Sequence, residues 1–243
     1  MGRLLVIIPT YNEIENIDAI ISKVLSLTMD VHILIVDDGS PDGTGNAVKT
    51  KQLEFPEKIH LLERAKKSGL GTAYIAGFKW ALEHDYTCVA EMDADFSHPP
   101  EKLIEMYQTC SNKIADVAIG SRYIKGGGVV NWPMIRLLLS RGASIYVQLI
   151  TGMGIKDPTA GFVCYNRKVL ENLNLDHIIF TGYAFQIEMK YAVYLLGYKM
   201  KEIPILFPDR VKGKSKMNIY IVKEALTGVL KMRFGRSKKD YIH

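Results

Sequence analysis

Three short apolar runs constrain this chain most, because each stops abruptly at a cluster of polar residues. Arg3 to Ile8 ends at Pro9-Thr10-Tyr11-Asn12-Glu13, and Val31 to Val36 ends at Asp37-Asp38-Gly39-Ser40-Pro41-Asp42-Gly43-Thr44. Tyr86 to Ala90 runs into Glu91-Met92-Asp93-Ala94-Asp95-Phe96-Ser97-His98. A run apolar on both faces, as Leu4 to Ile8 is, suits a central strand of a parallel sheet. Between them, Glu13 to Leu27 shows helical spacing at Ile17, Ile20, Ile21, Val24 and Leu25. A helix from about Gly45, a strand near Lys58 to Leu62 and a helix over Gly69 to Glu83 continue the alternation, as do a helix from Glu101 to Thr109 and a strand from Asp116 to Gly120. Such alternation predicts an α/β fold of βαβ units, a mostly parallel central sheet with helices on both faces. Ligands of such sheets gather at the carboxyl ends of the strands, where all three polar clusters fall.

After Tyr123 the pattern loosens. Gly126-Gly127-Gly128 predicts a mobile loop, and Trp132 to Ile150 a helix carrying Arg136, Ser140 and Arg141. Asp157 to Phe162 reads as a turn before a strand, Val163 to Tyr165. A helix from Gly182 to Leu196, one strand from Met200 to Phe207 and an amphipathic helix from Met217 to Arg233 complete the reading. No linker divides residues 1–243, so the expectation is a single domain, with 217–243 an amphipathic helix and basic tail at a membrane surface.

With 243 residues, 48% of them hydrophobic, the chain can bury one substantial core. The residues before the first strand show no leader pattern of charged start, apolar core and small-residue cleavage site, so export is not expected, and no uncharged apolar run approaches the roughly 18–20 residues that span a bilayer. Cys88, Cys110 and Cys164 lack metal-ligand spacing and read as buried thiols of a reducing compartment. The net charge of +5 is uneven, with Arg210, Lys212, Lys214, Lys216, Lys223, Lys231, Arg233 and Arg236 crowding the end. That stretch suits anionic lipid, phosphate ligands or nucleic acid; the alternative is a solvated helix face with a frayed tail.

Asp93 and Asp95 sit two apart at a strand end, so an extended backbone points both the same way, toward one divalent cation. Mg²⁺ or Mn²⁺ takes one or two carboxylates and fills its other positions with water and substrate phosphates. Rival motifs are absent. There is no G-x-x-x-x-G-K-[ST] loop and no G-x-G-x-x-G after the first strand. The run Asp38-x-Ser40-x-Asp42-Gly43 imitates an EF-hand start, but its twelfth position is Lys49 rather than glutamate. Tyr11 offers a plane for a base and Glu13 an acceptor, while Asn12 doubles as a helix N-cap. Asp38 suits ribose or base contacts, and an Asx turn is better served by Asp42-Gly43.

Taken together, Pro9 to Glu13, VDDGSPDGT (Val36 to Thr44), GLGTAYIAGF (Gly69 to Phe78), DADFSH (Asp93 to His98) and GSRY (Gly120 to Tyr123) resemble the family 2 glycosyltransferases of the GT-A fold. Within them the set is most similar to polyprenol-phosphate (dolichol-phosphate) mannosyltransferases. Arg136 to Ser144, Asp157 to Phe162 and Phe207 to Lys216 extend the likeness, which runs from Leu5 to about Met217.

The resemblance implies donor-nucleotide contacts from Pro9, Tyr11, Glu13, Val36 and Asp38. It implies a diphosphate lined by Asp93, Ala94 and Asp95, and a metal (Mg²⁺ or Mn²⁺) on Asp93 and Asp95. Ser97, at a position that is Gln in some members and Ser in others, is the further ligand the resemblance offers, with water in its place the alternative. Arg122, Arg136 and Ser140 resemble an acceptor-phosphate clamp, and Arg210 and Lys216 a basic loop closing over the donor; Asp95, Arg122 and Arg210 are the catalytic candidates. The implied reaction moves mannose from GDP-mannose to a polyprenyl or dolichyl phosphate with inversion, giving a β-linked product. UDP-glucose as donor is the alternative, and a sugar nucleotidyltransferase or an inactive nucleotide-binding module are more distant ones. Asp157 reads as a sugar-hydroxyl partner or a plain turn residue, and Gln186 and Glu188 as facing the sugar or capping the core. An acceptor with a prenyl tail implies a peripheral protein on the cytoplasmic face of a membrane. Ile219, Ile221, Val222, Leu226, Val229 and Leu230 would form the contact or pack instead on the domain's own core, with the Trp132-Pro133-Met134 loop and Leu137-Leu138-Leu139 second and a separate anchoring protein a further option. Nucleic acid is not an expected partner.

Overall fold

The computed structural model describes residues 2–209 and 219–242, the side chains of 219–226 excepted. Strand β1 (Leu4–Thr10) has β2 (Val31–Asp37) and then β3 (Ile59–Glu63) on one side. On its other side lie β4 (Cys88–Glu91), β7 (Val163–Asn166), β5 (Val117–Ser121) and β8 (Met200–Pro204), in that order. All run parallel except β7, which pairs antiparallel with both β4 and β5. The order reverses at β1, where the chain goes out through β2 and β3 and returns to β4, so a crevice opens at the carboxyl ends of β1, β2 and β4. Pairing Pro9 with Val36 and Thr10 with Asp37 sets the ends of β1 and β2 level.

Alternation along the strands feeds two cores. Leu4, Val6 and Ile8 pack under α1 (Ile17–Leu25), α2 (Thr44–Glu54) and α4 (Lys102–Ser111). Leu5, Ile7 and Leu34 pack on the opposite face, under α3 (Leu70–Leu82), α5 (Met134–Thr151), a short α6 (Arg167–Asn172), α7 (Ala184–Leu195) and α8 (Ile219–Gly235). Each such buried aliphatic side chain stabilises the fold by about 1.5–3 kcal/mol, which holds the sheet rigid beneath the crevice.

Four local expectations are corrected. Asn12 adopts a left-handed φ of 59° and caps nothing; α1 begins later, after Asn16. The glycine run is not simply a mobile loop, because Gly128–Val130 forms β6, paired with β9 (Leu206–Pro208) in a second small sheet. Met200 to Phe207 is accordingly not one strand. Ile205 donates to Ser121 O (3.0 Å) and accepts from Gly128 N (2.9 Å), carrying the chain from one sheet to the other. The C-terminal tail is not frayed: Tyr241 is fully buried and its carbonyl accepts from Asn174 N at 2.9 Å. All three cysteines are buried free thiols. No helix among the described residues is long and apolar enough to cross a membrane.

Candidate active site

The first two polar clusters interlock through short side chains that satisfy backbone donors. Asn12 N donates to Ser40 Oγ (3.0 Å), Glu13 N to Thr44 Oγ1 (3.0 Å) and Ile14 N to Asp42 Oδ2 (3.1 Å). Asp42 also accepts from Thr44 N at 3.0 Å, the Asx turn anticipated there. Asp37 accepts from Thr10 Oγ1 and Ser40 N. Gly39 turns the chain at φ +70°, and a β-carbon there would lie 3.2 Å from Arg64 O. On this frame, Pro9 is half-buried, Tyr11 has Lys67 Nζ 4.6 Å from its ring centre, and Glu13 accepts from Asn16 Nδ2 (3.0 Å). The Val36 side chain belongs to the core.

Asp38 is buried beside Arg64, whose Nε lies 3.2 Å from Asp38 Oδ1 without hydrogen-bond alignment. Burial pushes the Asp38 carboxyl above its ordinary range, against the pull of Arg64. Asp38 Oδ1, Arg64 Nη1 and Trp132 Nε1 are the buried side-chain polar atoms without hydrogen-bond partners among the described residues. Such atoms are costly unless a ligand or water pairs them. Asp38 stands at the β2 end, and Trp132 lies against Arg122 and Arg136.

The Asp93–His98 turn leaves β4 under strain, since Phe96 holds a left-handed φ of 62°, a true outlier for a bulky residue. Asp95 Oδ1 accepts from Ser97 N at 3.1 Å, and His98 Nδ1 accepts from Asp93 N at 3.0 Å. Ala94, Asp95 and Ser97 are buried and Asp93 is half-buried. Burial, with Asp93 alongside, keeps the Tyr74 phenol protonated, and its hydroxyl lies 3.5 Å from Asp93 Oδ1. Among the described residues no three His, Cys, Asp or Glu side chains could hold a metal by themselves. The donor set here is all oxygen, two carboxylates and a hydroxyl. It fits a hard cation that draws further ligands from water and a diphosphate.

Across the sheet, Arg122 is gripped rather than presented. Its Nε and Nη2 donate to the two oxygens of Asp157 (2.7 Å each), and Nη2 also reaches Thr159 Oγ1 (2.9 Å). The two-pronged contact expected toward a phosphate is thus made to Asp157. That carboxylate is fully buried, where a sugar hydroxyl does not reach it. Although burial opposes ionisation, Arg122 holds Asp157 below its ordinary range. Arg136 Nη1 donates to Asp209 Oδ1 (2.6 Å), and its Cζ lies 3.8 Å over the Trp132 ring. Ser140 Oγ accepts from Tyr123 OH (2.7 Å). Trp132 stands between the two arginines, with Arg122 Cζ 5.8 Å from its ring centre. Arg141 lines a cavity of about 250 Å³ with Tyr123, Ser144, Ile145, Gln148 and Lys156. Arg210 and Lys216 lie outside the described residues.

Sequence reasoning missed Arg64, His98 and the aromatic wall. His98 stacks on Phe162 (5.0 Å, 9°) and meets Phe207 edge-on (5.5 Å), which in turn meets Trp132 (5.5 Å). This wall joins the carboxylate turn to the arginine side. Glu188 does not face the sugar: fully buried, it accepts from Ile179 N and Phe180 N (2.9 Å each) and from Tyr241 OH (3.2 Å).

Comparison with known proteins gives the family. The family described as glycosyl transferase family 2 matches residues 5–173. A polyprenol monophosphomannose synthase of Mycolicibacterium smegmatis is 46% identical over 224 residues, 92% of this chain and 84% of its own. An undecaprenyl-phosphate mannosyltransferase of Micrococcus luteus is 43% identical over 227 residues, 93% of this chain and 92% of its own. Among solved structures, a mannosyltransferase of Pyrobaculum calidifontis in complex with GDP-Man and Mn²⁺ superposes with a TM-score of 0.61 at 17% identity. That alignment covers 96% of this chain and 63% of the other, and supports the fold alone. The chain belongs to glycosyl transferase family 2 and is a glycosyltransferase of the GT-A fold.

Proposed function

We propose that this enzyme transfers mannose from GDP-mannose to the phosphate of a polyprenyl lipid, such as dolichyl phosphate, with inversion at the sugar carbon. The observation that carries the reading is the 46% identity to a polyprenol monophosphomannose synthase over 92% of the chain, which takes in both the carboxylate turn and the arginine side. The nucleoside lies along Pro9, Tyr11, Glu13 and the main chain near Val36. Asp38 and Arg64 give their unpaired buried atoms to its polar groups. Asp93, Asp95 and Ser97 would hold Mg²⁺ or Mn²⁺, which supplies Lewis-acid stabilisation of the departing diphosphate.

The nucleophile is an oxygen of a phosphomonoester whose second pKa is near about 6, so it is largely a dianion at neutral pH and needs positioning more than deprotonation. Arg136, Ser140 and Trp132 Nε1 orient it. Arg122, its charge balanced by Asp157, walls the site with Tyr123, Trp132 and Phe207. Arg210 and Lys216 are assigned to the donor phosphates by resemblance.

The lipid acceptor places the enzyme at a membrane surface, and α5 is the element suited to meet it. Met134, Ile135, Leu138, Leu139, Ile145 and Leu149 are each at least half exposed along it, an apolar face next to Arg136. On α8, by contrast, Val229 and Met232 are buried in the core, while Ile219, Ile221, Val222 and Leu226 have side chains outside the description.

The test is transfer to a short-chain polyprenyl phosphate from GDP-mannose or UDP-glucose, with Mn²⁺, Mg²⁺ or EDTA. Product from GDP-mannose alone, lost with EDTA, is expected. Product from UDP-glucose alone overturns the mannose assignment, and product in EDTA overturns the metal role.

A further inference from the structure

Beneath the site lies a buried polar chain that the reaction itself does not use. Lys190, on α7, is completely buried. Its ammonium spends all three hydrogens, on Ala160 O (2.6 Å), Gln186 O (2.8 Å) and Gln186 Oε1 (3.3 Å). Gln186 turns its amide nitrogen to Glu91 Oε2, and Tyr165 OH donates to Glu91 Oε1 at 3.3 Å. Glu91 is the last residue of β4, two before Asp93. Ala160 belongs to the turn that carries Asp157 and Thr159, the partners of Arg122. Gly161 lies against the same junction, since a β-carbon there would stand 3.6 Å from His98 Cε1 and 3.9 Å from Gln186 Nε2. His98 in turn accepts from Asp93 N.

Resting on the reading above, we propose that Lys190 is a positioning residue that locks the 157–161 turn to the 93–98 turn. Through Gln186 and Glu91 it holds the arginine side and the metal-ligand side in one register. A core needs no ammonium at this point. Leucine or methionine would fill the volume without the cost of desolvating a charge, so stability alone does not account for a lysine there. What Lys190 adds is direction: three fixed donors, one on a neighbouring turn and two on the glutamine that reaches β4. The ligand-bearing turns lie at opposite ends of this chain, so a change at Lys190 is felt at both.

The experiment compares wild type with Lys190→Met and with Lys190→Met/Glu91→Gln, which leaves no unpaired buried carboxylate. Hydrogen exchange, which needs no turnover, is expected to rise about tenfold at the amides of both 93–98 and 157–161, with β1 and β2 still protected. Mn²⁺-dependent GDP binding should weaken about tenfold, as for other supports behind metal ligands. In the transfer assay the acceptor KM should rise more than kcat falls. Exchange that rises only at 157–161, or nowhere, overturns the proposal. Loss of protection throughout the sheet in both variants also overturns it, because Lys190 would then support the whole fold. Should wild type fail to transfer mannose, the proposed reaction falls, while exchange and Mn²⁺–GDP binding still decide the lock.

Discussion

The carboxyl ends of β1 and β2 and the surroundings of Arg122 are both dense in polar side chains, yet they are assembled in opposite ways. At the strand ends the partners are short and close in sequence or on adjacent strands. Ser40 N bonds Asp37, Thr44 N bonds Asp42, and Asn16 bonds Glu13. Around Arg122 the side chains are long and their partners distant: Asp157 is 35 residues on, and Arg136 finds Asp209 73 residues on. The first region is a set of turns that nearly any parallel sheet could build. The second exists only because β7, the small β6–β9 sheet and α5 bring remote segments together. A short polar residue at a strand end therefore has few possible roles, whereas a long cation is claimed by whichever acceptor the fold delivers.

That contrast can be broken at several points. Asp95→Ala should reduce metal-dependent transfer by about 10³-fold, with thermal unfolding near that of wild type. Near-normal turnover would remove the strand-end carboxylates from the chemistry. Asp157→Asn leaves the Arg122 guanidinium buried with its anion gone, and should cost about 3–5 kcal/mol in denaturant unfolding. The pH dependence sharpens this. Asp157 has a folded pKa depressed below its ordinary 3.8, so its stabilisation is present above that value and lost as pH falls through the folded value. The variant should lack this acid limb, and identical limbs in variant and wild type would show that the pair contributes nothing. Arg136→Ala should raise the acceptor KM about tenfold, the scale of one charge-assisted bond, and leave the donor KM within about twofold. An unchanged acceptor KM would assign Arg136 to Asp209 and Trp132 alone.

Much of the architecture was legible because burial on both faces leaves a plain signature. Leu4 to Ile8 are apolar at every position and Val31 to Val36 at every position but His32, and each element between Arg3 and Gly120 lies within a few residues of its expected place. What was not legible had short or mixed signals. Gly128–Val130 has only three residues and no periodicity, and its partner strand, Leu206–Pro208, looked continuous with β8. Asn12 has the chemistry of an N-cap, and only its left-handed backbone excludes that role. The basic composition after Lys231 suggests solvation, yet Tyr241 supplies enough apolar surface to dock the tail beside Glu188.

The sequence by itself determined the alternating sheet, the three polar strand ends and the paired carboxylates Asp93 and Asp95. These follow from periodicity and from residues whose chemistry is satisfied nearby. Only the tertiary structure decided that Arg122 is bound to Asp157, that Lys190 spans two turns, and that the exposed apolar face lies on α5. Those outcomes turn on which buried charge meets which partner. Coulombic and hydrogen-bond gains in a low-dielectric interior depend on distances of a few ångströms between segments remote in sequence, and no local pattern encodes such distances.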